Sequence, residues 1–215
     1  MTSTLTKSII LLLIICYYQP TLANRHTVKR GRQGKNNFNS IKDAIDNAEE
    51  GDTVFIKPGI YTESNILIDK DITIIGHNRN TTILQASHIS KAFTGRLFII
   101  NENTKVEISG LTLSNGYSDH FGGGILSKGD LKLINVTIKD CFSEAPGGGI
   151  AVLGGSCEMI NTDITDNMSE SEGGGIYLNR ANLQVYDSNL RCYKYKFCGG
   201  GIKSDYAAMN IRISE

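Results

Sequence analysis

Tryptophan is absent from this 215-residue chain, and aromatic residues make up only 7% of it. The commonest large stacking platform for sugars is therefore missing, and any such role falls to the nine tyrosines. Neither sign of charge is in surplus, with 22 Lys plus Arg against 22 Asp plus Glu. Without a basic excess or a polybasic segment, nucleic acid is excluded as an expected partner and an anionic membrane surface finds no complement. No Cys-x-x-Cys or Cys/His spacing of a metal site occurs. What is present, 40% apolar and 20% charged residues, is ordinary for a folded protein.

Hydrophobic runs long enough to cross a bilayer are also lacking. Lys7, the apolar stretch Ile9 to Tyr18 and the small-residue site Thr21-Leu22-Ala23 form a secretory signal pattern ending before Asn24. That apolar stretch falls short of the roughly 20 residues a span needs. Residues 1–23 are thus expected to be a cleaved signal peptide, the protein to be extracellular, and no stable membrane span to remain. Cleavage removes Lys7 and no acid, leaving 21 basic against 22 acidic residues and a net charge of −1. It also leaves Cys141, Cys157, Cys192 and Cys198, which in an oxidising compartment form up to two disulfides in one of three pairings, or stay as buried thiols.

The strongest positive signal is a repeat. Gly122-Gly123-Gly124-Ile125 returns as Gly147-Gly148-Gly149-Ile150, Gly173-Gly174-Gly175-Ile176 and Gly199-Gly200-Gly201-Ile202, at intervals of 25, 26 and 26 residues. Such a period marks a solenoid, each repeat being one turn that cannot bury its apolar face alone. The repeats also match in Val106-Glu-Ile108, Leu131-Lys-Leu133-Ile-Asn135, Cys157-Glu-Met159-Ile-Asn161, Leu183-Gln-Val185-Tyr-Asp187 and Met209-Asn-Ile211. Next come Leu113, Ile138, Ile164 and Leu190, then Asn115, Asp140, Asp166 and Cys192 two residues later. If one repeat is one turn of parallel β-coil, stacked about 4.8 Å apart, aliphatic ladders fill the interior and Asn or Asp ladders stand at the bends. About seven turns are expected from Thr53 to Ser214, a rod of about 30 Å.

Ahead of the repeats, Asn24 to Asn39 is polar and reads as a lead. Ser40 is an N-cap for a short helix with Ile41, Ala44, Ile45 and Ala48 on one side, ended by Gly51. That helix suits the N-terminal end of a coil, whose first turn otherwise exposes backbone edges. Short β-branched runs follow: Thr53 to Ile56, Ile66 to Ile68, Ile72 to Ile75, Ile83-Leu84 and Leu97 to Ile100. Ser87 to Arg96, carrying His88, Lys91 and Arg96, reads as a loop thrown out from the coil, a place where binding usually resides.

The helix from Asn37-Phe38-Asn39-Ser40-Ile41 to Ala48, the strand opened by Gly51-Asp52-Thr53 and the turn Pro58-Gly59-Ile60-Tyr61 resemble the opening of pectinesterases. Ile74-Ile75-Gly76 and Asn80-Thr81-Thr82-Ile83-Leu84 extend the match. The glycine repeats are similar to those of β-helical surface and adhesin proteins. Over residues 28–213 the resemblance implies an all-β, right-handed parallel β-helix of the pectin-lyase-like superfamily with a short capping helix. The domains would be the signal (1–23), the lead and helix (24–51), and the coil (52–215), whose C-terminal end reads as incomplete and open to self-association. An activity does not follow from the fold. Pectinesterases carry an Asp-Phe-Ile strand and Trp that this chain lacks, while Asn161-Thr162-Asp163 and Gly76-His77 match polygalacturonase motifs in the wrong order.

The expected function is a secreted, non-catalytic β-helix that binds carbohydrate or cell-surface glycan. The alternatives are a polysaccharide-active enzyme of the same fold and a structural rod without ligand. Asp140, Asp163 and Asp166 recur on neighbouring turns, where carboxylates can serve a glycosidic site or a calcium ion, and Tyr177 and Tyr193 can stack on sugars. Calcium aside, no cofactor is expected. Of the sequons Asn80, Asn135 and Asn167, Asn80 and Asn167 are the candidate glycan acceptors, while Asn135, at a ladder position, is expected to be buried.

Overall fold

The computed structural model describes residues 23–31, 36–87, 95–191 and 200–212. Residues 1–22 of the signal pattern, His88, Lys91, Cys192, Tyr193 and Cys198 lie outside the described residues.

Among the described residues every strand pairing is parallel, and the chain winds through about six turns, close to the expected number. The sheets run along the coil: a first of nine strands, a second of six, a short third of three, and a fourth of six. Alternation decides what fills the interior. In the first sheet Val106, Leu131, Cys157, Leu183 and Met209 stand in register, as do Ile108, Leu133, Met159, Val185 and Ile211. Tyr61, Leu84, Leu113, Ile138, Ile164 and Leu190 make the ladder of the second sheet. The Ile ladder after the glycines forms in the fourth sheet and extends back through Phe98 to Ile66.

The bends are made by residues that tolerate left-handed backbone. Asn115, Asp140 and Asp166 have φ of 60°, 55° and 57°, and Asn135, Asn161 and Asp187 have φ of 54°, 47° and 50°. Short Asn and Asp side chains accept this conformation where most residues do not. In each described glycine triplet the first member has positive φ, at 71° for Gly122, 84° for Gly147 and 59° for Gly173, while the others permit close approach of neighbouring turns.

The N-terminal end differs from the sequence reading in one respect. The polar lead contains a strand, Arg25–Val28, paired with Thr53–Ile56, and Asn37–Phe38 adds outside it. Four residues that begin with Arg25 and His26 carry little alternation signal, yet His26 and Val28 turn inward and are buried. The helix Ile41–Asp46 forms as expected, with Ser40 accepting from the Asp43 N–H. Its entry is completed by a residue distant in sequence: Glu63 accepts from Ser40 Oγ (2.9 Å), Ile41 N (2.8 Å) and Lys42 N (2.9 Å). A carboxylate on free helix N–H groups both satisfies donors and complements the dipole. Glu63→Ala is expected to cost about 1–2 kcal/mol, read as a lower urea midpoint.

Asp52, from Gly-Asp-Thr, holds this end together. Only 2% exposed, it accepts from Asn24 N (2.6 Å), Glu49 N (2.9 Å) and the His26 ring (2.8 Å). Burial alone would raise its pKa, but these hydrogen bonds and the His26 ring outweigh burial and hold the carboxyl below the usual aspartate range. A depressed folded pKa gives stability that is present above the unfolded value and lost as pH falls through the folded one. Acid titration below about pH 4 should therefore loosen Arg25–Val28 before the central turns, seen as early loss of amide protection at Thr53 and Lys57, the described donors to Asn24 and Val28.

At the other end, Met209 and Ile211 are each 50% exposed, although Leu183 and Val185, one turn earlier, are each 1% exposed. Among the described residues no strand covers Ala208–Arg212 on its far side.

Candidate binding groove

The acids picked out from the repeats do not converge. Asp140 and Asp166 share one ladder, exposed at left-handed corners, and Asp140 lies 3.5 Å from Lys139 Nζ. Asp163 is elsewhere, in the second sheet, paired with Arg79 Nη1 at 3.1 Å. Among the described residues no group of three or more His, Cys, Asp or Glu side chains is placed to hold a metal ion. Asn161-Thr162-Asp163 is structural too: Asn161 makes a corner and Thr162 is buried.

Tyr177 is likewise not a sugar platform. It is 6% exposed, stacks on Phe121 at 5.6 Å, donates to Asp205 (2.9 Å) and accepts from Asn179 Nδ2 (3.2 Å). Tyr117 stacks on Phe142 at 5.4 Å and donates to Glu144, a hydrogen bond that, with burial and nearby acids, pushes the phenol up to about 12. Stacking engages one face of each ring with its aromatic neighbour. Arg96 is no free binding cation either: it donates to Gly122 O (2.7 Å), Phe121 O (2.6 Å) and Ser118 Oγ (2.6 Å), clamping the first glycine corner.

Cys141 and Cys157 are free and buried, so neither forms the disulfide for which it was a candidate. Cys157 is in the first sheet, between Leu131 and Leu183, whereas Cys141 follows the second; burial pushes each thiol up to about 12. The two remaining disulfide candidates, Cys192 and Cys198, lie outside the described residues. The sequons are redistributed. Asn80 is exposed, Asn135 is half-exposed at its corner, and Asn167 is buried with both ends of its amide engaged. Asn167 is thus no glycan acceptor in the folded chain.

Among the described residues a concave feature lies on the outward face of the first sheet. A groove of about 380 Å³ is lined by Asp71, Thr73, Lys105, Glu107, Lys132 and Glu158, and it adjoins a second of about 550 Å³ that shares Lys105 and Asp130. Two outward ladders run through this face. Thr73, Glu107, Lys132, Glu158 and Gln184 form a polar row. One pleat further along, Phe55, Ile75, Ser109, Ile134, Ile160 and Tyr186 form a second row, all half-buried and all but Ser109 apolar or aromatic. Within the polar row Lys132 Nζ reaches Glu158 at 2.9 Å, and this hydrogen bond raises the lysine pKa. Around it, Asp71 accepts from Lys105 N (2.6 Å) and Asp130 from Ser156 Oγ (2.7 Å).

Neither row was singled out from the sequence. A signal existed in the aliphatic residue after each inward pair, Ile134 and Ile160, which alternation turns outward where a solvated sheet would carry a polar side chain.

No protein-family model matches this sequence, and no curated protein does. Among solved structures the chain is similar to a pectin methylesterase mutant in complex with a hexasaccharide, at a TM-score of 0.52 and 16% identity over 86% of this chain and 60% of that one. It is similar also to the pectin methylesterase of Erwinia chrysanthemi, at a TM-score of 0.52 and 15% identity over 88% of this chain and 67% of that one. At such identity the likeness is one of backbone. The stacked parallel sheets, the capping helix and these two likenesses together show that the chain has the pectin-lyase-like parallel β-helix fold.

Proposed function

We propose that this protein is a secreted glycan-binding β-helix that holds an extended saccharide along the outward face of its first sheet. The observation that carries this reading is the pair of parallel ladders: the polar row Thr73, Glu107, Lys132, Glu158 and Gln184 beside the apolar row containing Ile75, Ile134, Ile160 and Tyr186. A sugar ring has C–H faces and hydroxyl edges. An apolar strip takes the first, and charged hydrogen-bonding groups take the second. The coil fixes the backbone of both rows, so little loop ordering opposes binding, and the Lys132–Glu158 pair is already formed. A solved protein of the same fold is described in complex with a hexasaccharide, which supports the class of ligand.

A glycan array on the purified protein tests this directly. Glu107→Gln and Lys132→Met should each weaken the best-bound glycan about tenfold, the size expected for losing a charged hydrogen bond, while Asp140→Asn leaves it unchanged. A silent array, or equal loss in all three variants, rejects the groove.

A second reading, hydrolysis, is favoured by one observation. Glu107 and Glu158 flank Lys132 on the groove floor, two strand spacings apart, about 9–10 Å by backbone. That span is near the upper end of the range for inverting glycosidases. Release of reducing ends from pectin or chitin, abolished by Glu107→Gln, would replace binding with catalysis.

A further inference from the structure

Two independent features meet at Asn24. In sequence, Thr21-Leu22-Ala23 is a small-residue cleavage site immediately before it. In the fold, Asn24 is where the coil begins: its carbonyl accepts the first ladder hydrogen bond, from Thr53 N at 2.9 Å. Its own nitrogen donates at 2.6 Å to Asp52 Oδ1, on a carboxylate that is 2% exposed.

We infer that the bond between Ala23 and Asn24 is a maturation site, and that the ammonium released there docks on Asp52 and locks the N-terminal strand onto the coil. Hydrolysis by a secretory endopeptidase adds one water across the amide. The hydroxyl goes to the Ala23 carbonyl carbon, which leaves as a carboxylate, and the Asn24 nitrogen takes up protons to become a primary ammonium. In the uncleaved chain Asp52 receives a neutral amide N–H at this oxygen. After cleavage the same oxygen faces a positive charge, and charge-assisted hydrogen bonds are roughly twice as strong as neutral ones.

The surroundings leave this position for a cation. Asp52 Oδ2 is taken by His26 Nε2 (2.8 Å) and Glu49 N (2.9 Å), so Oδ1 is the oxygen left for the chain start. Three charged side chains near this end are committed elsewhere. Lys70 Nζ donates to Ile45 O (3.3 Å) and Ala48 O (2.9 Å) at the helix end, Asp71 accepts from Lys105 N (2.6 Å), and Arg25 lies 4.1 Å from the Phe55 ring centre. The only ionisable side chain bonded to Asp52 among the described residues is therefore His26, and it contacts the opposite oxygen.

The test uses the full chain. Expressed through a secretory pathway and recovered from the medium, it should begin at Asn24 by N-terminal sequencing, whereas the full chain purified from the cytosol retains its leader. Thermal unfolding of both is then followed from pH 6.5 to 10.5. An amine paired with a carboxylate has a folded pKa raised above its ordinary value, so its contribution is full at low pH and disappears as pH rises through the folded pKa. The cleaved form should therefore melt about 2–4 °C above the uncleaved form at pH 6.5, with the gap closing by pH 10.5. Asp52→Asn should abolish the gap. Should that variant fail to fold, acetylating the α-amine of the cleaved wild type should close it instead. Secreted protein beginning at any residue other than Asn24, or two pH profiles that run parallel, would overturn the proposal.

Discussion

Gly148→Ala should unfold the middle of the coil, at a cost of about 4 kcal/mol or more. A Cβ at Gly148 would stand 2.2 Å from Met168 O and 2.4 Å from Gly174 O, both backbone atoms of the following turn. No rotamer relieves that clash, because Met168 is held in its strand pairing and Gly174 O accepts from Gly149 N at 3.2 Å. The strain here is one of space rather than of positive φ, which belongs to the preceding Gly147. Relief would require separating neighbouring turns and breaking their hydrogen bonds. Chemical denaturation should show a large fall in midpoint, and Gly154→Ala gives the contrast. At Gly154 φ is 103°, but a Cβ meets only Lys128 O at 3.7 Å, so the cost should stay near the 1–2 kcal/mol of a left-handed alanine.

Asn167→Ala is expected to be nearly as damaging, at about 3 kcal/mol or more. Its amide is 0% exposed and bridges two turns, accepting from Cys141 N at 3.0 Å and donating to Ile138 O at 2.9 Å. Alanine removes both partners and leaves a buried N–H and a buried carbonyl unsatisfied, each worth about 1–3 kcal/mol. Asn167→Asp should be no milder, since it keeps the acceptor but loses the donor and places a charge in the interior. Loss of exchange protection at the Cys141 amide would separate this mechanism from general loosening.

The same residue shows how far the sequence reaches. In the chain, Asn167-Met168-Ser169 is a sequon like Asn135-Val136-Thr137, and the alignment marked Asn135 as the buried one. The structure reverses them. Asn135 takes up left-handed backbone at 54° and stays half-exposed. Asn167 stands one residue beyond the left-handed corner Asp166 and points inward, where the previous turn places Cys141. Glu63 is a similar case, since no local pattern ties it to a helix N-terminus 22 residues earlier. The candidate groove was legible only in parts: its inward ladders were read, its outward rows were not.

The sequence by itself determined the coil. A period of 25 or 26 residues, glycine triplets and alternating aliphatic pairs admit few folded solutions, because each turn must bury its apolar side against the next. Strand faces, corner chemistry and the capping helix follow from that local pattern. What only the tertiary structure decided is which side chains from different turns become neighbours. The ladder between Glu107, Lys132 and Glu158, the enclosure of Asn167 and the contacts on Asp52 depend on register between segments some 25 residues apart. Register is set by all the ladders closing together, whereas periodicity in one strand specifies only which face is inward.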